Sequence, residues 1–301
     1  MAANAATGGA ILTFSRGDRG VLPRDILKVH LIASAVRHRY GSPPPEVVLG
    51  IFDFLRKSSP PASGPAVDKK VAGYAKVASD KRAQTYDRIE ALQALAAMKS
   101  VEAATALLKR FTFSIDPSIT DQDEKEVAFQ GVVDAGKEVI PAVREFCARA
   151  ETLSWPIKIL RALLEDDEYR DELIDLLEGF DTEYARNVEP KQQVIIALGT
   201  LTGDEIREAV ERFLEDVNET VRFHAVQTTF AQGTEESVPA LVKAIASEES
   251  VRIKNKVAEG MMARNWTIPA ELRGTARDAL QDSGGYAVND GGQISRTRSY
   301  G

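Results

Sequence analysis

Between about Lys81 and Asp282 the apolar positions recur three and four residues apart, in blocks separated by short turns. The block that opens after Asp216–Val217–Asn218–Glu219 shows the logic. Its first residues offer capping oxygens. Val221, Ala225 and Val226 then make one apolar stripe, and Phe223 and Phe230 widen it. A helix apolar on two sides is sandwiched between neighbours. Gly233 ends it. The next block carries Val238, Leu241, Val242 and Ile245 at i, i+3, i+4 and i+7, a single stripe with Lys243 on the other face. One such pair cannot bury both stripes, whereas stacked pairs can.

Ahead of this region the pattern is looser. Pro23 sits at a helix-start position, and Ile26, Leu27, Val29, Leu31, Ile32, Ala35 and Val36 predict a helix to Tyr40, stopped by Gly41–Ser42–Pro43–Pro44–Pro45. A second helix is expected over Glu46 to Lys57. Ser58 to Val67 reads as an exposed Pro/Ser-rich linker, and Asp68 to Ala78 as a short helix. Residues 1–80 are therefore expected to form a helical cap or extension. The tail 283–301, Gly-rich and polar, is expected to be disordered.

The helical region repeats. With Asp87–Lys109 laid over Val221–Lys243 at an offset of 134, Arg88 falls on Arg222, Ala91 on Ala225 and Gln93 on Gln227. Further on, Ala106, Leu107 and Lys109 fall on Ala240, Leu241 and Lys243. Val221–Arg222 falls on Val251–Arg252 at an offset of 30, and Val139–Ile140–Pro141–Ala142–Val143 is similar to Val238–Pro239–Ala240–Leu241. Six units follow, roughly 81–115, 120–150, 152–181, 186–215, 216–247 and 248–282. The fold class expected is all-α: an α-solenoid of about six antiparallel helix pairs over 81–282, with a helical N-terminal extension.

The pattern Asp216-x-x-x-x-Val221–Arg222-x-x-Ala225, followed by Val238–Pro239–Ala240–Leu241, resembles the HEAT repeat, especially the short bacterial form named after phycobilisome lyases. The resemblance covers about two hundred residues and is best in units one, five and six; Trp155–Pro156 and Pro190 sit where such repeats carry a proline. It implies a right-handed solenoid with second helices lining a concave, protein-binding face. It also implies that Arg88, Asp216, Arg222 and Arg252 serve as structural inter-repeat residues.

Charge sharpens this picture. The formal net charge is −7, but residues 16–40 hold six basic side chains against two acids, and residues 165–189 hold eleven acids against two bases. In the third unit Asp171, Glu172, Asp175 and Glu178 take the polar side of the second helix, opposite Leu173, Leu176 and Leu177. With Arg144, Arg207, Glu211 and Lys243 from adjoining second helices, these residues are the candidate partner-binding face, suited to a basic protein.

Motifs for other chemistry are missing. There is no phosphate loop, no dinucleotide fingerprint and no His-Glu-x-x-His. The His-Glu pairs of the di-iron hydroxylases built on HEAT repeats are missing too. His30 and His38 have no third ligand nearby, His224 reads as a packed histidine, and Cys147 lies on an apolar stripe with Val143 and Phe146. No catalytic residue, metal or cofactor is expected. A single Cys fits a reducing compartment, no apolar run exceeds five residues, and the start shows no secretory signal, so a cytoplasmic protein without membrane insertion is expected. The leading functional expectation is a non-catalytic scaffold or adaptor. Two alternatives rest on the resemblance: a chromophore-lyase-type enzyme or accessory subunit, and a DNA-binding protein like the alkylpurine glycosylases. Overall acidity, and Trp155 and Trp266 at core-like positions, weigh against nucleic acid.

Overall fold

The computed structural model describes residues 69–281, 283 and 285–297, all within the unit Ser59–Gly301. The helices expected before Tyr40 and over Glu46 to Lys57, the linker, the basic segment 16–40, His30 and His38 lie outside the described residues.

Thirteen α-helices make up most of the described chain, which is all-α apart from one small hairpin. They are α1 (Lys69–Ala78), α2 (Thr85–Met98), α3 (Val101–Leu108), α4 (Ser118–Asp134), α5 (Ile140–Cys147), α6 (Ser154–Leu163) and α7 (Asp166–Glu178). After them come α8 (Glu189–Leu198), α9 (Asp204–Glu211), α10 (Glu219–Gln232), α11 (Val238–Ser247), α12 (Val251–Arg264) and α13 (Arg273–Gln281).

Local chemistry sets many of the boundaries. Ser100 Oγ accepts the Ala103 amide at 3.2 Å and starts α3; Asn218 Oδ1 accepts the Thr220 and Val221 amides and starts α10. Glu165 and Glu168 form a reciprocal capping box at α7. Pro141, Pro190 and Pro239 occupy first-turn positions, where no amide donor is lost. Lys99, Gly233 and Asn265 end α2, α10 and α12 in the left-handed conformation.

Packing follows chain order. Each helix contacts its sequence neighbour or the next but one: α2, α4, α6, α8, α10 and α12 touch in series, while α3 packs on α5, α7 on α9 and α11 on α13. Leu92, Leu95, Ala128, Val132, Ile159, Val194, Ile195, Ala225, Val226, Val257 and Ala258 form the buried band shared by the even-numbered helices. At Gly260 an added methyl would fall into the Phe230 ring, so the close approach of α12 to α10 requires glycine.

The tail corrects the expectation of disorder. Tyr286–Val288 (β1) and Ile294–Arg296 (β2) pair antiparallel, with Ala287 opposite Ser295. Tyr286, Val288 and Ile294 are buried, β1 against α13 and β2 against α12. Composition hid this because the apolar residues are few and the turn is Gly-rich. Arg273 and Arg277 hold that turn by donating to the carbonyls of Asp290, Val288 and Asn289.

Candidate interaction surface

At the start of each even-numbered helix stands a position that sequence comparison marks as Arg88 and Arg222. Arg222 Nε donates to Glu248 Oε2 at 2.7 Å and Nη2 to Oε1 at 2.9 Å, while Nη1 donates to the Asp216 carbonyl at 2.8 Å. One pair earlier, Lys191 Nζ donates to Asp216 Oδ2 at 2.6 Å and to the Asp181 carbonyl at 2.7 Å. The two acceptors are built alike. Asp216 Oδ1 accepts the Asn218 amide, and Glu248 Oε1 the Ser250 amide, both at 2.8 Å. Each of these two junctions is thus a rung: a cation from one helix start meets an acid placed just before the next even-numbered helix. The charges are buried and hydrogen-bonded on both sides, the condition under which a buried pair is tolerated.

Arg88 forms the corresponding rung in the first pair. It grips Glu124 of α4 through Nε and Nη2 and donates to the Ala83 carbonyl. Arg110 reaches the same Glu124 carboxylate at 2.7 Å and also holds Asp121, which pairs with Lys125. Burial alone would raise the Asp121 carboxyl, but hydrogen bonds from Lys125 and Arg110 outweigh it and hold the group below the usual carboxylate range.

Arg252 departs from its expected register. The shared Asp216/Glu248 and Asn218/Ser250 pairs set the offset between the last two units at 32 rather than 30. Lys254, not Arg252, therefore stands opposite Arg222. Arg252 is exposed, lies over the Phe223 ring at 3.8 Å and sits 3.8 Å from Glu219.

The odd-numbered helices carry the other candidates. Arg144 on α5 clasps Glu172 on α7 through Nε, at 2.7 and 2.9 Å, and through Nη2. Glu172, expected on the exposed polar side of α7, is 4 % exposed; turning toward Arg144 takes it out of solvent. Arg207 lies between Glu211 (3.4 Å), Glu208 (3.3 Å) and Glu236 of the next pair (3.3 Å). Lys243 meets Glu215 at 2.6 Å. So the three candidate cations are engaged in ion pairs, Arg144 with Glu172 and Arg207 with Glu211, and Lys243 with a residue outside the candidate set. Asp171 pairs with its neighbour Arg170 at 2.8 Å. Asp175 is half-buried and Glu178 exposed, and neither has a cation partner among the described residues. Burial first, then the charges of Glu172 and Glu178, push the Asp175 carboxyl up against the opposing pull of Arg144.

Other reactive side chains are occupied by packing. Cys147 is buried, and burial, with a smaller push from Glu172, raises its thiol to about 12. Trp155 stacks on Phe111 at 5.3 Å and Trp266 packs on Phe230 at 5.4 Å, both buried. His224, expected to be packed, is half-exposed; its Nδ1 lies 3.3 Å from Gln227 Oε1. Among the described residues no three His, Cys, Asp or Glu side chains gather as a metal site, and no helix is long and apolar enough to cross a membrane.

Sequence inspection missed Glu124, Arg110, Lys191 and Glu248. The capping residues could have found Lys191. Asn187 Oδ1 accepts the Glu189 amide as Asn218 Oδ1 accepts the Thr220 amide, and aligning these caps puts Lys191 on Arg222. What the fold and the surface define is an all-α protein in which three of the junctions between successive even-numbered helices carry charge pairs. No protein-family model matches the chain, and no curated protein is significantly similar to it.

Proposed function

We propose that the chain is a non-catalytic scaffold, a HEAT-like α-solenoid in the cytoplasm whose odd-numbered helices present an acidic face to a basic protein partner. The neighbour and next-but-one packing of the helices supports the solenoid reading. The partner reading rests on one observation. The cations along this face are engaged in ion pairs, while Asp175 and Glu178 keep carboxylates with no cation partner among the described residues. Burial is the first cause of the raised Asp175 carboxyl; a basic partner relieves the second, the repulsion from Glu172 and Glu178. Rim charges of this kind set association rate and salt sensitivity more than final affinity.

The test is retention of partners by immobilised wild type and by the triple variant Asp171→Lys, Asp175→Lys, Glu178→Lys, at low and moderate salt. Glu172 is left intact because it is buried against Arg144. The expected result is a discrete basic polypeptide held by wild type, released by salt and lost in the variant, with the helical dichroism of the folded state retained. Equal retention by wild type and variant removes this surface from the proposal.

A further inference from the structure

Arginines from later helices close the ends of earlier ones. Arg212, in the turn that ends α9, donates through Nη2 to the Leu177 carbonyl at 2.7 Å and the Phe180 carbonyl at 3.1 Å, at the C-terminal end of α7. Arg264 does the same from α12, donating to the Phe230 carbonyl of α10 at 2.9 Å. A guanidinium suits such a place, because the last carbonyls of a helix lack amide donors and gather partial negative charge. The junction that Arg212 closes is also joined by a backbone bond, from the Val217 amide to the Thr182 carbonyl at 3.0 Å.

The next junction, where α9 leads into α10 and α11 into α12, lacks both closures. The offset of 32 that matches Asp216 with Glu248 puts Ala244 at the place of Arg212. The buried series Tyr169, Leu173 and Leu177 of α7 matches Ile206, Val210 and Leu214 at an offset of 37. Leu214 and Val217 therefore stand at the places of Leu177 and Phe180. No backbone bond joins residues 214–217 to 244–249, and among the described residues no donor reaches the Leu214 carbonyl. A cavity of about 490 Å³ stands there instead. Leu214, Val217 and Ala244 give it apolar sides, and four acids line it against one base, Arg222, which is already engaged by Glu248 and the Asp216 carbonyl. Of the acids, Glu249 is exposed with no cation partner among the described residues, and Glu215 shares only an exposed ion pair with Lys243. α11 ends on the cavity with no basic side chain in its last turn.

We infer that this cavity receives an arginine side chain of a protein partner, seated as Arg212 is seated one junction earlier. The guanidinium donates to the Leu214 carbonyl and to the carboxylates of Glu215 and Glu249, and its methylene stem lies on Val217 and Ala244. Arginine fits better than lysine because its planar fork serves a carbonyl and a carboxylate at once, and both precedents inside the fold are arginines. The cavity is a second anchor, separate from the acidic face of α7; it rests on the reading of a basic protein partner, but not on Asp175 or Glu178.

The experiment titrates the full chain, labelled with nitrogen-15 and deuterium, with N-acetylarginine methylamide at low salt and follows the backbone amide shifts. The neutral citrulline isostere is the control. A single side chain binds weakly, so a dissociation constant on the order of millimolar is expected. Shifts should saturate at residues 214–217 and 247–249, and the citrulline compound should bind at least ~tenfold more weakly. Ala244→Arg places a guanidinium in the cavity from within and should abolish the shifts. Glu249→Lys, at an exposed position, should weaken binding ~tenfold or more, and it carries the test even if Ala244→Arg fails to fold. The triple variant on α7 should bind the arginine compound as wild type does, so loss of the α7 face and loss of this cavity read separately. Four results overturn the inference: shifts that do not saturate, equal binding of the citrulline compound, shifts that survive folded Ala244→Arg or Glu249→Lys unchanged, or their loss in the α7 variant.

Discussion

Two carboxylates of the array respond to pH in opposite senses. Burial alone would raise Glu248, but the Arg222 hydrogen bonds and the Ser250 amide outweigh it and hold the group below the usual carboxylate range. Its stabilising contribution is therefore complete above the unfolded value near ~4.3 and is lost as pH falls through the folded value. Asp175 is raised, so its charged form is less favourable in the fold than in the unfolded chain. It costs stability above its folded value, and the cost disappears once pH drops below the unfolded value near ~3.9. Asp175→Asn should accordingly raise the urea midpoint at neutral pH, with a gain in unfolding free energy of about 0.5 kcal/mol for a charge this accessible, and less in high salt. The gain should vanish near pH ~3.5, below both values. A midpoint at pH ~7 that stays put or falls contradicts the assignment of Asp175 as a destabilised carboxylate.

At the scale of elements, what the sequence made legible was whatever repeats every few residues. The stripe Val238–Leu241–Val242–Ile245 and the stop at Gly233 place α10 and α11 closely, because periodicity and caps are local properties. Register between units was less legible. The dipeptides Val221–Arg222 and Val251–Arg252 suggest an offset of 30, and only the hydrogen bonds of Asp216 and Glu248 show that it is 32. Asp216 was legible from the repeat motif, whereas Glu248 and Glu124 escape inspection because they act across 26 and 36 residues. The hairpin escapes too, since its stability comes from Tyr286, Val288 and Ile294 covering α12 and α13 rather than from its own composition. Truncation after Gln281 should therefore expose Ile268, Ala276 and Leu280 and loosen α13 first. Hydrogen exchange should show protection lost in α12 and α13 and retained in α2 to α6. Full protection of α13 without the hairpin contradicts a capping role.

The molecule as a whole is a series of junctions, and they are not all alike. Three carry a cation–acid rung: Arg88 to Glu124, Lys191 to Asp216 and Arg222 to Glu248. Where α4 meets α6, Lys125 turns back to Asp121 of its own helix. Trp155 fills that gap, stacking on Phe111 from the first pair and tilting against Phe129 of α4 at 5.9 Å. Aromatic packing thus does here what buried charge does elsewhere, and it concentrates the coupling in one side chain. In an array held by neighbour contacts, weakening one junction divides the chain into blocks that unfold separately. Trp155→Ala should cost about 3–5 kcal/mol and separate α1–α5 from the helices that follow. Trp266, packed on Phe230, then becomes the sole tryptophan and reports on the later block alone. Urea unfolding followed by Trp266 fluorescence should depart from unfolding followed by far-ultraviolet dichroism, with dichroism showing an earlier transition. Coincident transitions at a lower midpoint would mean that the junctions share their load across the whole array, and that no single stack decides where it divides.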